Sequence, residues 1–321
     1  MTRPVNTRRQ RLLVIAGPTA SGKSALALEV AERAGGELVS ADSQQVYRHF
    51  DIGTAKPSAE ELARVPHHLV SVAEPHEQFS AARWAAEADA VIEDIVSRGK
   101  VPIVVGGTGL YLRFLLHGTV PAPPADPELR AALEAEAEAH GRAALHERLN
   151  AIDPETAAKV QPTDLVRIVR ALEIHALTGR TASDFRREHE FGEDRYDHVL
   201  VALDPPRDAL YRAIEQRTGA MFAAGLADEV RLLVERGYRD APPMASVGYV
   251  QALAYVEGRL SLADAIADAA KQTRHYAKRQ WTWFRRERDT RFLSPPYDVA
   301  ALVELARPRS PAPSPSPSPS R

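Results

Sequence analysis

The strongest chemical signal in this sequence is a phosphate-binding loop near the N-terminus. Residues 17–24 read Gly-Pro-Thr-Ala-Ser-Gly-Lys-Ser and match the pattern G-x-x-x-x-G-K-[ST] of ATP-binding loops. In such a loop the backbone N–H groups turn towards phosphate oxygens, the lysine reaches the terminal phosphates, and the last hydroxyl can bind Mg²⁺. We therefore predict that a phosphate-bearing ligand is bound by Gly17, Pro18, Thr19, Ala20, Ser21, Gly22, Lys23 and Ser24, with Ser24 as the metal ligand.

The only carboxylate at the end of an early predicted strand is Asp42. Phosphate-loop motors and GTPases carry an apolar strand that ends in Asp, which holds Mg²⁺ and helps to place water. Here the comparable strand ends in Gly106-Gly107, so nothing suggests a nucleotide hydrolase. Asp42 can hold a metal through water or act as a base towards an acceptor. It can equally be the N-cap of a following helix, and its position alone leaves these readings open.

A basic segment with interleaved aromatic residues lies towards the C-terminus. Residues 271–291 carry eight basic and two acidic side chains, although the whole chain has a formal net charge of −2. This excess indicates a nucleic acid as co-substrate or partner. The spacing of Trp281 and Phe284 instead favours packing of these two side chains in a core.

Short apolar strands alternate with helical patterns along most of the chain, which predicts an α/β fold with a parallel sheet covered on both faces. The predicted strands are residues 12–16, 37–40, 69–72, 101–105 and 198–203. We predict a P-loop NTPase-like core from residues 10–120 and 198–295, with C-terminal helices, and an all-helical insertion domain at 121–197. A Pro/Ser-rich tail, 296–321, is expected to be largely disordered.

Composition excludes several classes of function. The chain of 321 residues has no cysteine, which rules out disulfide scaffolds, cysteine nucleophiles and iron–sulfur clusters. No apolar run approaches the length of a membrane span, and the five apolar residues after the N-terminal arginines are too few for a signal peptide. We expect a cytoplasmic protein that does not bind membranes.

Together, the motifs resemble the tRNA dimethylallyltransferase family, also called tRNA isopentenyltransferases. The matching stretches occur in the family's order and cover about residues 11–293. They are residues 17–24, 41–47, 51–57, 66–69, 106–111, 167–173, 246–249 and 277–280. The run 51–57, Asp-Ile-Gly-Thr-Ala-Lys-Pro, is far more specific than the phosphate loop, although the residues alone assign it no role.

The resemblance implies that dimethylallyl diphosphate donates its dimethylallyl group to N6 of adenosine 37 in tRNAs that read U-initial codons. The phosphate loop then binds an isoprenoid diphosphate rather than ATP, with Mg²⁺ as cofactor. The tRNA anticodon stem-loop is the partner, and its adenine must leave the base stack to react. The resemblance further implies a monomer with no obligate protein partner.

The family's functional residues map onto this sequence position by position. Asp42 is the implied proton acceptor, Lys23 and Arg217 stabilise the diphosphate, and Thr108 contacts the target nucleotide. The implied tRNA contacts are Asp42, Ser43, Gln44, Gln45, Thr108, Val166, Arg167, Ile168, Val169, Arg170, Ser246, Val247, Gly248, Tyr249, Lys278 and Arg279. Three positions depart from the family's common residues: Val166 replaces Gln, Ala213 replaces Arg, and Val250 replaces Arg or Lys.

Three alternative functions remain open at this point. A phosphate loop serves a kinase of a small molecule or nucleoside equally well. A prenyltransferase that acts on adenosine phosphates shares the same core. An RNA-binding module with a vestigial loop is the non-enzymatic alternative, which the intact Lys23, Ser24 and Asp42 argue against. The basic segment and the helical insertion discriminate among them, because a small-molecule kinase needs neither.

Overall fold

The computed structural model describes residues 11–119, 122–189 and 194–307. These residues form two compact units. The first contains the described residues up to Leu116 and from Arg195 onwards, and the second is His117–Asp194. The sequence predicts the helical insertion at 121–197.

The first unit is built on a six-stranded parallel sheet with strand order β3-β2-β4-β1-β5-β6. The strands are β1 (Arg11–Ala16), β2 (Gly36–Ala41), β3 (His67–His68), β4 (Val101–Gly106), β5 (Asp197–Leu203) and β6 (Arg291–Leu293). The predicted α/β class with a parallel core sheet is confirmed. Because all strands run in one direction, their carboxyl ends meet at one edge of the sheet, where α/β proteins bind ligands.

Helices connect the strands and cover the sheet. In chain order they are α1 (Lys23–Ala34), α2 (Ala59–Arg64), α3 (Ala81–Ser97), α4 (Gly109–His117), α5 (Pro127–His140), α6 (Arg142–Ile152), α7 (Pro154–Ala157), α8 (Leu165–Thr178), α9 (Ala182–His189), α10 (Arg207–Ala223), α11 (Leu226–Glu235), α12 (Tyr249–Val256), α13 (Leu262–Phe284) and α14 (Val299–Ala306). A short 3₁₀ helix, Pro242–Ala245, precedes α12. No helix in the described ranges is both long and apolar enough to cross a membrane.

Two apolar cores lie on opposite faces of the sheet. Successive side chains of a strand point to opposite faces. Leu12 and Val14 of β1 therefore belong to the larger core with α3, α4 and α11–α13. Leu13 and Ile15 join the smaller core with α1 and α14. This two-sided burial explains why the central strands are continuous apolar runs.

The edge strands differ from the sequence prediction. The sequence predicts a strand at 69–72, but β3 contains only His67 and His68. Leu69 and Ser71 adopt positive φ angles of 60° and 55°, a left-handed backbone that cannot continue a strand. The prediction at 69–72 is therefore wrong, and β6 was missed because it is short and mostly exposed.

The second unit contains α5–α9 around its own apolar core, which includes Leu133, Leu145, Leu149, Ile168 and Leu172. A fully buried carboxylate, Glu173, lies in the same unit and pairs with Arg130 and Arg170. This pairing compensates for burial of the Glu173 charge, and hydrogen bonds from Arg130 and Arg170 hold the Glu173 pKa below its usual value against the effect of desolvation.

The C-terminal tail predicted from 296 to be largely disordered is ordered through Arg307. Asp298 caps α14 by accepting the backbone N–H of Ala301 at 3.0 Å. Leu302, Val303 and Ala306 are buried in the smaller core. The prediction is wrong for this part, because helical spacing of apolar residues outweighs the proline-rich composition around it. Residues 308–321 lie outside the described residues.

Packing of α14 predicts a measurable contribution to stability. Leu302→Ala removes buried methyl groups from the smaller core and should lower the free energy of unfolding by about 2–5 kcal/mol. Glu304→Ala, on the exposed side of the same helix, should change it by less than about 0.5 kcal/mol. Urea denaturation of both variants checks this. Equal, small effects would mean that α14 does not pack on the sheet in solution.

Candidate active site

The phosphate loop joins β1 to α1 at the carboxyl edge of the sheet. Ala20 and Gly22 have positive φ angles of 64° and 85°, which turn the backbone around the loop. The first N–H groups of a helix have no intrahelical acceptor, and in α1 no side chain caps them. Such an uncapped N-terminus carries partial positive charge and binds anions. The loop lines a cavity of about 810 Å³.

Two cationic side chains border this cavity next to the loop. Lys23 Nζ lies 3.4 Å from the carbonyl oxygen of Pro18, and Arg217 of α10 donates a hydrogen bond to Thr19 Oγ1. Burial lowers the pKa of Lys23 to about 8, which the Asp42 carboxylate opposes and the Arg217 charge reinforces. Burial also lowers the pKa of Arg217. An anionic ligand between the two cations would stabilise both charges.

Gln280 of α13 is a connecting residue that the sequence analysis did not single out. Its Oε1 accepts the Thr19 backbone N–H at 2.8 Å, and its Nε2 donates to the Gly107 carbonyl at 2.9 Å. A Cβ at Gly107 would lie 2.2 Å from that Nε2, so the close approach requires glycine. Gln280 therefore ties α13 to the phosphate loop and already occupies the Thr19 amide. The only sequence signal was its place in the run 277–280.

Asp42 follows β2 and lines the same cavity. Its Oδ1 accepts backbone N–H groups from Gln44 at 2.8 Å and Gln45 at 3.3 Å. Within the described part of the chain, Oδ2 makes no hydrogen bond. Residues 43–46 form turns rather than a helix, so Asp42 caps a turn and the helix N-cap reading is wrong. One carboxylate oxygen is thus structural and the other remains available for chemistry.

Thr108 supports this turn from the neighbouring strand. Its Oγ1 accepts the Ser43 backbone N–H at 3.0 Å, and its own N–H donates to the Ala41 carbonyl at 3.1 Å. Thr108 is not among the residues that line the cavity. In this structure its hydroxyl positions the Asp42 turn.

The run 51–57, which the residues alone could not explain, forms one wall of the cavity through residues 53–57. Gln45 Nε2 donates to the carbonyl oxygens of Thr54 at 3.2 Å and Ala55 at 2.9 Å, which links this wall to the Asp42 turn. Within the run 51–57, Lys56 Nζ lies 2.6 Å from Asp51 Oδ1. Burial lowers the Lys56 pKa, and the ion pair with Asp51 opposes that shift.

Glu229 of α11 anchors the wall from the other side. Its Oε2 accepts the backbone N–H groups of Asp51 at 3.2 Å and Ile52 at 2.8 Å, while its Oε1 accepts the Tyr249 hydroxyl at 2.5 Å. The Tyr249 oxygen also accepts the Gly53 N–H at 3.2 Å. Tyr249 is fully buried, so its side chain cannot make the tRNA contact predicted for it. It supports the cavity wall instead.

The structure brings most of the predicted core residues together around one cavity. Its lining includes Thr19, Ala20, Gly22, Lys23, Ser24, Asp42, Ser43, Gln44, Gln45, Arg217, Ser246, Val247, Gly248 and Arg279. Within the first unit, the predicted residues outside the lining are Gly17, Pro18, Ser21, Thr108, Tyr249 and Lys278. Apolar side chains from α10, α11 and α13 complete the walls, among them Met221, Phe222, Leu226 and Ala269. The cavity therefore suits a ligand with both an anionic and a hydrocarbon part.

The predicted contacts in the second unit divide by burial. Val166 and Arg167 are exposed at the start of α8. Ile168 and Val169 are buried in the core of that unit, so their side chains cannot contact RNA as predicted. Arg170 binds Glu173 and the Pro123 carbonyl, the latter at 2.7 Å. The helical period explains the error, because consecutive residues of α8 point to different faces.

The oxygen donors in the cavity fit a hard divalent cation. The Ser24 hydroxyl and the Asp42 carboxylate both line the cavity, and both offer the oxygen ligands that Mg²⁺ prefers.

Comparison with known proteins agrees with this geometry. The family model described as IPP transferase matches residues 45–287, and the one described as isopentenyl transferase matches 10–72. The tRNA dimethylallyltransferase of Myxococcus xanthus (strain DK1622) is 63% identical over 91% of this chain and 95% of its own length. That of Anaeromyxobacter dehalogenans (strain 2CP-C) is 56% identical, over 93% and 100%.

Solved structures show the same similarity. The full-length tRNA isopentenylpyrophosphate transferase of Bacillus halodurans superposes with a TM-score of 0.67 and 38% identity, covering 93% of this chain and 95% of that one. A eukaryotic dimethylallyltransferase, solved in snapshots of its action on tRNA, has a TM-score of 0.75 and 29% identity, covering 89% and 74%.

The lowered pKa of Lys23 predicts a pH-dependent affinity for inorganic diphosphate. The ammonium binds the anion and the neutral amine does not, so the affinity should fall as the pH rises through about 8. Lys23→Arg keeps its charge at these pH values and is the matched control. Calorimetric titration from pH 7 to 9.5 should show the ratio of wild-type to Lys23→Arg affinity decreasing, because titration of diphosphate itself cancels in that ratio. A constant ratio would contradict the shift.

The Glu229 anchor predicts that its removal destabilises the cavity wall. Glu229→Ala leaves the N–H groups of Asp51 and Ile52 without their acceptor, which should lower the free energy of unfolding by about 1–3 kcal/mol. Hydrogen exchange in residues 51–57 should accelerate. Glu235→Ala, an exposed carboxylate at the end of the same helix, is the control and should change neither quantity. Indistinguishable behaviour of the two variants would disprove the anchoring role.

Proposed function

This chain belongs to the tRNA dimethylallyltransferase family, and from that premise we propose what its cavity does. The protein transfers a dimethylallyl group from dimethylallyl diphosphate to N6 of adenosine 37 in tRNAs that read U-initial codons, and releases diphosphate. The observation that carries the proposal is that the phosphate loop, the Asp42 carboxylate and an apolar wall line one cavity. A donor with an anionic diphosphate and a small hydrocarbon group needs this combination of surfaces.

The phosphate loop and Arg217 would hold the diphosphate. As the bond between C1 and the diphosphate oxygen breaks, negative charge grows on the leaving group and positive character on C1. This negative charge would be stabilised by Lys23, Arg217 and the N–H groups at the start of α1. The setting is partly buried, where electrostatic interactions are strong. Arg217 is held towards the loop by its hydrogen bond to Thr19.

We further propose Mg²⁺ as cofactor, which Ser24 would hold and to which Asp42 would contribute through water. When bound there, the ion would neutralise part of the diphosphate charge. The support is the donor chemistry of these two side chains, both of which line the cavity.

Asp42 would remove the proton from N6. The N6 lone pair is delocalised into the adenine ring, so the amino group is a poor nucleophile. A carboxylate oxygen that accepts the N6 proton as the N6–C1 bond forms leaves a neutral secondary amine. Oδ2 is suited to this role because Oδ1 is held by Gln44 and Gln45, which fix the carboxylate in place.

The acceptor side would be contacted by residues around the cavity mouth. The segments 42–45 and 246–248 line the cavity, and Arg279 adds positive charge there. In the second unit, exposed Val166 and Arg167 are candidate contacts to the anticodon stem-loop. We propose that the protein acts as a cytoplasmic monomer and that adenosine 37 flips out of its stack to enter the cavity.

The first experiment is transfer of labelled dimethylallyl groups to unmodified tRNA that reads U-initial codons, with Mg²⁺ present. Label on adenosine 37 would support the proposal. Replacing the donor by labelled ATP tests the kinase alternative, and adenosine monophosphate as acceptor tests the small-molecule alternative. Preferred phosphorylation or preferred transfer to the mononucleotide would overturn it.

Asp42→Asn should lower kcat by about 10²–10⁴-fold, the usual contribution of a general base. Its affinity for tRNA should remain within about threefold, because the asparagine Oδ1 can still accept the N–H groups of Gln44 and Gln45. Asp240→Asn, an exposed surface change, is the matched control. Normal turnover of Asp42→Asn would reduce Asp42 to a turn cap.

A further inference from the structure

A second cleft, of about 500 Å³, lies on the other side of α13 from the catalytic cavity. Thr273, Tyr276 and Arg279 of α13 line the catalytic cavity. Lys278 and Trp281 of the same helix and its C-cap residue, Arg285, line the second cleft. At about 100° per residue these two sets fall on different faces of one helix. Gln280 ties α13 to the phosphate loop, so the helix that borders the second cleft is also anchored at the catalytic cavity.

The cleft is cationic. Arg207, Lys278 and Arg285 line it against a single carboxylate, Asp204, which lies 4.0 Å from Arg285 in a loose ion pair. In the part of the chain that the structure describes, neither Arg207 nor Lys278 has a carboxylate within ion-pair distance. Arginines elsewhere on the surface are commonly paired, as Arg33 is with Glu29 and Arg187 is with Asp184. Positive charge is therefore left uncompensated at this cleft.

The walls hold these charges in place. The Arg207 guanidinium lies 5.1 Å from the centre of the Tyr211 ring, which favours a stacked, ordered cation. Trp281 is half-buried and packs against the apolar cluster that contains Leu210 and Ile214 of α10. Arg207 is also the first residue of α10, a 17-residue helix whose N-terminus no side chain caps. The partial positive charge of this helix N-terminus adds to the charges of the three side chains. Asp208 is the acidic residue in the first turn of α10.

We propose that this cleft binds a backbone phosphate of the RNA acceptor. The inference rests on the proposed function for the identity of that acceptor. It assigns a binding role to Arg207, which no sequence motif indicated, and to Arg285 within the basic segment 271–291. An RNA strand fits better than a free anion, because Arg207, Lys278 and Arg285 are exposed, as expected for an extended ligand that lies across an open cleft. Lys278 and Arg285 are seven residues apart on α13, about 10 Å along its axis.

The test is equilibrium binding of unmodified tRNA over a range of NaCl concentrations. In the double variant Arg207→Gln/Arg285→Gln, tRNA affinity at low salt should fall about 10–100-fold. The slope of log K against log[NaCl] should become shallower by about one for each phosphate group that the variant no longer binds. The charge-preserving variant Arg207→Lys/Arg285→Lys should restore most of the slope. Thermal unfolding of each variant checks that the protein still folds.

Arg33→Gln is the matched control, because it removes one exposed arginine at the far end of α1 from the phosphate loop. If the double glutamine variant keeps the affinity and salt slope of this control, the cleft does not bind RNA. If wild-type protein instead binds a second equivalent of inorganic diphosphate that the double variant does not bind, with tRNA binding unchanged, the occupant is a free anion and the RNA assignment is overturned. Binding is measured without turnover, so loss of RNA binding at this cleft can be distinguished from loss of prenyl transfer.

Discussion

Partial burial of two positive charges beside the phosphate loop is the central constraint on the site. Removing Lys23 and Arg217 from water is unfavourable, which is why both pKa values are lowered. Asp42 offsets only part of this cost, because one carboxylate faces two cations. The diphosphate that we propose as ligand would supply the missing negative charge, so donor binding would offset the unfavourable free energy of burying the cations. The site is thus pre-organised for an anion before the donor arrives.

Everything around that charge cluster is held by buried or half-buried polar contacts between segments far apart in sequence. Gln280 joins α13 to the phosphate loop, Thr108 joins the segment after β4 to the Asp42 turn, and Gln45 joins that turn to the Thr54 carbonyl of the cavity wall. Glu229 then joins the wall to α11. Each of these contacts satisfies a backbone group that would otherwise be buried without a partner, so removing one has a cost beyond the bond itself. Irregular loops can form a defined cavity for this reason.

The basic segment shows that charge alone does not reveal what a residue does. Phe284 is buried in the larger core, and Arg274 pairs with Glu215 at 2.8 Å, so both serve the fold. Arg279 and Lys278 lie on different faces of α13 and border different cavities. One helix thereby carries core packing, a tie to the phosphate loop and two cationic surfaces. The spacing of the aromatic residues correctly predicted core packing for Phe284.

The sequence alone specifies the class of fold and identifies the phosphate-loop motif. Buried parallel strands and the loop are local features, so their residue types alone specify β1, the loop and the start of α1. It also placed Asp42 at a strand end. Which residues of the matched motifs line the cavity depends on the tertiary structure. Tyr249 and Ile168 lie in matched motifs yet are buried, and Glu229 lies in none yet anchors the wall. Burial and partner choice depend on contacts between distant segments, which no local pattern contains.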